Sequence, residues 1–398
     1  MAKLTISDLD FTGRRVLMRV DFNVPLENGR VANDKRLRAA VPTIRHILKG
    51  GGKLILMSHL GRPKGQRMTE LSLKPCAVAL ERLLDRPVAV ADDCVGPAAR
   101  AAVEALSPGD VLLLENLRFH KAETDNDETF ARALAGLADI YVNDAFGTAH
   151  RSHASTVGVT RFIEPCAMGL LIEKEITYLG EALQQPKRPY AAIIGGAKIS
   201  GKIEVIDSLL PQVDHLIIGG GMAYTFFKAN GLPVGKSLME ADKVDLARSL
   251  LDKGGQKLIL PADCMCTDHF DVASRAIGPL VATASDAIAE DGIGVDIGPA
   301  SVKRFEAVLG RAQTIVWNGP MGVFEIDAAA GGTYAVAEAV AAATARGAIS
   351  VIGGGDSAAA VEKAGLADRI THISTGGGAS LAFLEGKVLP GVAALTDR

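Results

Sequence analysis

Residues 350–360 read SVIGGGDSAAA. An apolar run meets three glycines, and beyond them an acid and a hydroxyl open an alanine-rich segment. Apolar residues at consecutive positions, then a glycine turn, then helix formers, spell a strand buried on both faces that runs into a helix. Such a unit belongs to a parallel sheet with helices packed on it. The same grammar recurs along the chain. Candidate strands are VLMRV (16–20), KLILMS (53–58), DVLLLE (110–115), DIYVN (139–143), YAAII (190–194), HLIIG (215–219), KLIL (257–260), TIVW (314–317), ISVIG (349–353) and THIS (371–374). Amphipathic, Ala/Leu-rich segments such as LKPCAVALERLL (73–84) and AAVEAL (101–106) separate them. The alternation predicts a doubly wound α/β fold.

The strands are too many for one sheet, and 398 residues suggest two or three domains at roughly 100–200 residues each. A break falls in RFIEPCAMGLLIEKEITYLGEALQQPKRP (161–189), where a helical pattern from about Gly169 to Leu183 is flanked by Pro165, Pro186 and Pro189. Prolines at both flanks fit a helix that starts and stops sharply. The expected architecture is two doubly wound parallel-sheet domains joined by a long helix. Each binds its ligand at the carboxyl ends of its strands, and the two ligand faces meet across a cleft.

Composition narrows the function. Hydrophobic residues make up 48% and charged residues 22%, the balance of a soluble globular chain. A formal net charge of −3 gives no general attraction to nucleic acid or anionic membrane, so anion binding must come from local clusters. The opening MAKLTISDLDFTG lacks a signal-peptide core, and no stretch reaches the ~18 apolar residues of a membrane span. The five cysteines are scattered and odd in number, which suits a reduced, cytoplasmic chain with structural thiols. CMCTDH (264–269) lacks the second Cys/His pair that a zinc site needs.

Four glycine turns follow apolar runs in the second half: GGAKISGK (195–202), GGGMAY (219–224), GGGDSA (353–358) and TGGGAS (375–380). The first misses the Walker A pattern because Ile203 stands where a Mg²⁺-ligating hydroxyl belongs. GLPVGKS (231–237) is one residue short of it. The third fits G-x-G-x-x-A at Gly353, Gly355 and Ala358, but Asp356 would face a dinucleotide pyrophosphate with nothing to offset it, and no ribose-binding acid follows at about 20 residues. Four glycine turns, two of them ending in the helix-start hydroxyls Ser357 and Ser380, instead predict an anion site of backbone N–H groups and helix N-termini. Asp356 fits there if it holds Mg²⁺ on a polyphosphate, since Mg²⁺ takes carboxylate and phosphate oxygens. Lys198 and Lys202, four apart, would share a face at a helix start and contact phosphate.

The first half carries arginine and histidine just after its strands, in SHLGRP (58–63), ENLRFH (115–120) and GTAHRSH (147–153), with DFNVP (21–25) after VLMRV and DKRLRAA (34–40) opening a helix. Strand ends converge in this architecture, so Arg36, His59, Arg62, Arg118 and Arg151 are expected to line one anion pocket, where the planar guanidinium suits carboxylate and phosphate. His46 and His120 are read as surface or supporting groups, and His150 and His153 lack the acid or thiol spacing of a metal site. A Mg²⁺-nucleotide in one half and a small, multiply charged anion in the other suggest phosphoryl transfer. A dinucleotide-dependent dehydrogenase and a non-catalytic nucleotide- or anion-binding protein are the competing readings.

Taken together, RVLMRVDFNVP, LMSHLGRPKG, LLLENLRFH, NDAFGTAHRSHAS, IIGGAKISGKIEVI, GGGMAYTFFKA, VDIGP, IVWNGPMGVFE, IGGGDS and STGGGASLAFLEGKVLPGV resemble, in order and over essentially the whole chain, the phosphoglycerate kinase family. The resemblance implies two Rossmann-like domains, a 3-phosphoglycerate-binding one at 1–168 with 389–398 returning to it and a nucleotide-binding one at 186–388, joined by a helix at 169–185 whose Glu175 belongs to the hinge. It implies reversible phosphoryl transfer between 1,3-bisphosphoglycerate plus ADP and 3-phosphoglycerate plus ATP, with Mg²⁺, in a cytoplasmic monomer without nucleic-acid or membrane partners. By the same resemblance, Asp21, Asn23, Arg36, His59, Leu60, Gly61, Arg62, Arg118 and Arg151 bind 3-phosphoglycerate. Lys202, Gly219, Gly220, Gly294, Asn318, Pro320, Glu325, Gly354, Gly355, Asp356 and Ser357 bind nucleotide, with Gly221 part of the adenosine site and Glu325 on the ribose. Asp356 lies nearest the metal, and Arg36, Lys198 and the N–H groups of Gly376, Gly377 and Gly378 stabilise the phosphoryl group in flight. Ser357 stands where many members have Thr, which keeps the hydroxyl.

Overall fold

A computed structural model describes residues 2–271 and 273–398. The chain divides into two compact units, one of Met1–Thr177 with Val388–Arg398 and one of Tyr178–Lys387. The first is built on a six-stranded, all-parallel sheet of β1 (Arg15–Arg19), β2 (Lys53–Met57), β3 (Ala89–Val90), β4 (Val111–Leu113), β5 (Ile140–Asn143) and β6 (Cys166–Met168), ordered β3-β4-β2-β1-β5-β6. Its longer strands are apolar in their middles because both faces are covered, with the polar Arg15, Arg19, Lys53 and Asn143 at strand ends. Val16, Met18, Leu54, Leu56, Val111, Leu113, Ile140 and Val142 join one core with Leu37, Ile44 and Ile47 of helix α1 (Lys35–Lys49).

The chain direction across this sheet reverses at β1, which has β2 on one side and β5 on the other. Ligands of doubly wound sheets bind at such a switch point. Near the other end of the chain, Lys3 pairs with Asp397 in an isolated bridge, and Asn143 Nδ2 donates to Gly391 O at 2.8 Å. Helix α2 (Leu170–Gln184) spans the boundary between Thr177 and Tyr178. Its first turn is capped by a buried side chain outside the helix, as Asp144 Oδ1 accepts from Leu171 N at 2.8 Å and Ile172 N at 3.3 Å.

The second unit has another six-stranded parallel sheet: β7 (Tyr190–Ile194), β8 (His215–Ile218), β9 (Leu258–Ile259), β13 (Thr314–Asn318), β14 (Ile349–Gly353) and β15 (His372–Ile373), ordered β9-β8-β7-β13-β14-β15. The switch point lies between β7 and β13. Every residue of these two strands is buried. Between β9 and β13 the chain makes an antiparallel sheet of β10 (Asp263–Thr267), β11 (Val281–Ala284) and β12 (Ile293–Ile297), with β10 in the middle. Helices α3 (Ile203–Leu209), α4 (Gly331–Ala345), α5 (Gly355–Lys363) and α6 (Gly377–Leu384) follow β7, β13, β14 and β15.

Sequence reading missed β3, β6 and the antiparallel sheet. The CMCTDH segment supplies most of β10, with Cys264 and Cys266 buried, and all five cysteines are free and buried. No helix among the described residues is long and apolar enough to cross a membrane.

Candidate active site

Four neighbouring strands, β4, β2, β1 and β5, deliver the polar side chains of the first unit. Asp21 and Asn23 lie just past β1, and Arg36 on the first turn of α1 donates to Asp21, Nη1 to Oδ2, at 2.8 Å. Past β2, Gly61 N donates to Asn23 Oδ1 at 2.8 Å, and His59 is buried with Nδ1 3.9 Å from Asp21 Oδ1. Past β4, Arg118 Nη1 donates to Gly61 O at 2.8 Å, and Asn116 holds Leu60 through both of its backbone groups. Asp21, Asn23, Arg36, His59, Leu60, Gly61 and Arg118 thus form one contiguous cluster. Arg151 past β5 is exposed, with Nε 3.3 Å from His150 Nε2, and its charge is felt at Arg118 and His153. Arg62 is also exposed, on the same turn as His59 and Gly61.

Behind this cluster runs a buried chain of polar groups that the sequence did not flag. Arg19, the last residue of β1, is fully buried. Its Nε donates to Ser155 Oγ at 2.8 Å, and its Nη1 donates to Val20 O. Ser155 Oγ donates in turn to Glu123 Oε1 at 2.6 Å, and Ser155 N donates to Glu123 Oε2 at 2.9 Å. Arg19 Nη2 lies 3.2 Å from His59 Nδ1. A guanidinium only donates, so Nδ1 accepts and the imidazole carries its proton on Nε2. Burial, followed by the charges of Arg19, Arg118 and Arg36, pushes His59 well below its ordinary value. Burial likewise brings His153 down to about 4 and Arg118 to about 10, with Arg118 and Arg19 adding to the first, and Arg19 and Arg151 to the second. The pocket therefore presents cationic arginines and neutral imidazoles, which suits an anion with several oxygens. The one signal in the sequence was an arginine placed where a both-faces-buried strand has no room for an unpartnered charge.

In the second unit the glycine turns pack against one another at the switch point. Gly195 N, Gly196 N and Gly220 N donate to the carbonyls of Asn318, Pro320 and Met321, each at 2.9 Å. A Cβ on Gly195 would collide with Pro320 O, and one on Gly319, which has φ +100°, would collide with Gly195 O. Only glycine lets these backbones approach. Lys202, half-buried, donates from Nζ to Asn318 Oδ1. Burial lowers its ammonium to about 8, opposed by the charges of Asp356 and Glu385.

Asn318 is 1% exposed and its Nδ2 has no hydrogen-bond partner, beside Gly353 and Gly354. Ser357 Oγ, buried in the first turn of α5, accepts from Gly319 N at 2.6 Å. A Cβ on Gly377 would stand 3.6 Å from Gly355 N, so the N-termini of α5 and α6 lie side by side. Gly376 is held by its N–H donating to Ser374 Oγ at 3.2 Å. Lys202, Asn318, Pro320, Gly219, Gly220, Gly354, Gly355, Asp356, Ser357, Gly376 and Gly377 thus surround the carboxyl ends of five strands.

Three residues stand apart from that ring. Gly294 lies on β12, packed under the Tyr224 ring that follows the 219–221 turn, and its N–H donates to Ser237 Oγ at 2.9 Å. Glu325 is exposed in the loop after β13, and Lys198 is exposed in the turn after β7. The expectation that Lys198 and Lys202 share a helix face is corrected. Helix α3 begins at Ile203, so both lysines precede it, and only Lys202 turns inward onto Asn318. In the second sheet the first strand in chain order, β7, is followed by GGAKISGK, which lacks the G-x-G-x-x-G fingerprint that a dinucleotide site places at that turn.

The sequence matches the phosphoglycerate kinase family over residues 6–387. The chain belongs to the phosphoglycerate kinase family. It is a kinase, a phosphotransferase with a carboxyl group as acceptor. It is 58% identical over 399 residues to a phosphoglycerate kinase of Chlorobium luteolum, covering 99% of this chain and all of the relative. It is 56% identical over 400 residues to that of Chloroherpeton thalassium, with both chains fully covered. Among solved structures, phosphoglycerate kinase from Coxiella burnetii superposes with a TM-score of 0.87 at 40% identity, and that from Pyrococcus horikoshii with 0.86 at 35%, each covering 98% of both chains.

Proposed function

We propose that this kinase transfers a phosphoryl group reversibly between the acyl phosphate of 1,3-bisphosphoglycerate and ADP, giving 3-phosphoglycerate and ATP, by direct in-line displacement. The observation that supports this best is the presence of two unlike anion sites in one chain: an arginine pocket with neutral imidazoles, and a ring of glycine turns and helix starts carrying a solitary aspartate. Arg36, Arg62, Arg118 and Arg151, with the Nε2–H of His59, hold the phosphate and carboxyl oxygens of 3-phosphoglycerate. Asp21 and Asn23 bind its hydroxyl-bearing backbone, with Leu60 and Gly61 shaping the wall. Lys202 and the Nδ2–H of Asn318 take phosphate oxygens of the nucleotide, with Pro320, Gly354, Gly355 and Ser357 beside them. Gly219, Gly220, Gly221 and Gly294 shape the adenosine side, and Glu325 takes the ribose hydroxyls.

The exposed Asp356 carboxylate on the first turn of α5 suits Mg²⁺, which favours oxygen ligands from carboxylate, phosphate and water. Asp356 would hold the ion, which would supply positive charge to offset the nucleotide phosphates. In the direction of ATP use, a carboxylate oxygen of 3-phosphoglycerate attacks the γ-phosphorus as the bond to the ADP oxygen breaks. The loose transition state spreads charge over the equatorial oxygens, which Lys198, Arg36 and the N–H groups of Gly376, Gly377 and Gly378 stabilise. No protein nucleophile is required.

The two substrates belong to different units, so transfer requires the units to close and exclude water from the acyl phosphate. On this reading 1–168 with 389–398 is the 3-phosphoglycerate domain, 169–185 the connecting helix with Glu175 in the hinge region, and 186–388 the nucleotide domain. The enzyme works as a cytoplasmic monomer on small molecules, without nucleic-acid or membrane partners. Incubation with 3-phosphoglycerate, ATP and Mg²⁺ in hydroxylamine should trap a hydroxamate. Absence of a Mg²⁺-dependent, 3-phosphoglycerate-dependent hydroxamate overturns the assignment.

A further inference from the structure

Beside the residues assigned to the two anion sites, one further cluster gathers three different metal-binding chemistries. Asp93 and Cys94 lie just beyond β3, and His120 ends the turn that follows β4. These strands are hydrogen-bonded neighbours, pairing Ala89 with Leu112 and Val90 with Leu113, so their turns emerge side by side. One ligand atom from each of Asp93, Cys94 and His120 lies within 4.8 Å of the others. Asp93 Oδ1 is 2.7 Å from His120 Nε2, and Cys94 N donates to Asp93 Oδ1 at 2.7 Å, which fixes the carboxylate. The Phe130 ring, 5.2 Å away by centroids, backs the imidazole. The thiol is fully buried, whereas the carboxylate and imidazole side chains are 34% and 33% exposed. The cluster thus has a dry, soft side and an open, wet side.

We propose that Asp93, Cys94 and His120 bind one divalent cation of the zinc class, with water completing the shell. Thiolate and imidazole favour such borderline ions over Mg²⁺, which wants oxygen alone. Three protein ligands and one open position are the arrangement zinc accepts outside closed structural sites. Metal–ligand bonds of roughly 2.0–2.3 Å place tetrahedral ligand atoms about 3.3–3.7 Å apart. The Asp93–His120 pair therefore opens by less than about 1 Å and the sulfur closes by little more, movements within the reach of side-chain rotation. On binding, the Cys94 thiol gives its proton to solvent and its sulfur lone pair to the metal. The bound ion would clip the turn after β4, which also carries Arg118, to the turn after β3.

Co²⁺ titration of the full chain tests this, because a thiolate ligand produces a near-ultraviolet charge-transfer band. The expected result is one Co²⁺ per chain with that band, displaced by Zn²⁺ and unaffected by excess Mg²⁺. The band should vanish in Cys94→Ser and persist in a Cys264→Ser, Cys266→Ser double variant. Asp93→Asn and His120→Gln should each weaken Zn²⁺ binding about tenfold or more, since even partners outside the ligand set typically cost that much. Should Cys94→Ser fail to fold, these two partly exposed positions decide alone. No thiolate band, a band that survives in Cys94→Ser, or Zn²⁺ affinity unchanged in both Asp93→Asn and His120→Gln overturns the proposal.

Discussion

Lys202 is a cation kept in partly dry surroundings, and burial has brought its ammonium to about 8. A nucleotide phosphate beside it favours the charged form, so binding takes up a proton wherever the free enzyme has lost one. Metal-free nucleotide affinity is therefore expected to weaken as pH rises from 7 through 8 to 9. Lys202→Arg, which stays charged throughout, should flatten that slope. Calorimetric titrations at the three pH values check it, and equal slopes in both proteins would remove Lys202 from the phosphate site. Asp356 makes the complementary case. Asp356→Asn keeps the shape and removes the charge, so kcat/KM with Mg²⁺-nucleotide should fall about tenfold or more (roughly 1.4 kcal/mol). Affinity for metal-free nucleotide should hold or improve, and equal losses in both would deny the metal role. Asp356 drew notice in the sequence because an acid following a run of turn glycines is chemically out of place where phosphate is expected. Arg19, Glu123 and Ser155 did not, because their meaning lies in one another across 136 residues of sequence separation between Arg19 and Ser155.

At the scale of elements, parallel strands were legible wherever they are four or five residues long and apolar on both faces, as in β7 and β14. β3 is two residues, Ala89 and Val90, and β6 is Cys-Ala-Met, too short and too poor in β-branched residues to stand out. The antiparallel sheet was hidden because β10 pairs with strands up to about 30 residues away and only alternates in burial. Helix α2 was read from its proline flanks, but its cap was invisible. Asp144 lies 26 residues before Leu170 and is buried, and burial raises its carboxyl to about 7 despite the N–H groups of Ile172 and Leu171. A folded value raised above 3.8 means the contribution favours folding below 3.8 and is lost as pH rises through about 7. Asp144→Asn keeps an oxygen for the helix N–H groups without the buried charge. It is expected to raise Tm relative to the parent at pH 8, by about 2–4 °C per kcal/mol recovered, with the gain shrinking towards pH 5. A Tm lowered at pH 8 would mean that the charged cap outweighs its desolvation.

Across the whole molecule, these perturbed groups are unevenly shared, and that sets how each unit answers to acid. His59, His150 and His153 all belong to the first unit, and burial is the leading cause that lowers each. The unfolded chain takes up these protons near 6.5 while the fold declines them, so stability falls as pH drops below 6.5, for His153 until about 4. For His153, buried in the fold, the slope between 6.5 and about 4 is at most roughly 1.4 kcal/mol per pH unit. Asp144 works in the opposite direction within the same unit, but it is one group against three. The second unit carries Asp296, 4% exposed and raised to about 7 mainly by burial, with the N–H groups of Gly332 and Ile297 pulling the other way. Its contribution grows as pH falls from 7 towards 3.8. Acidification from pH 7 to pH 5 is thus expected to destabilise the first unit relative to the second. Native-state hydrogen exchange at the two pH values, corrected for intrinsic rates, reads this unit by unit. Slow amides of β1, β2 and β5 should lose protection relative to those of β7, β13 and β14. If both sets change alike, the neutral imidazoles are not maintained by the fold. 3-Phosphoglycerate should then reduce the contrast: an anion in the arginine pocket favours the protonated form of any imidazole it faces, so its addition at pH 5 should restore protection to the first unit selectively.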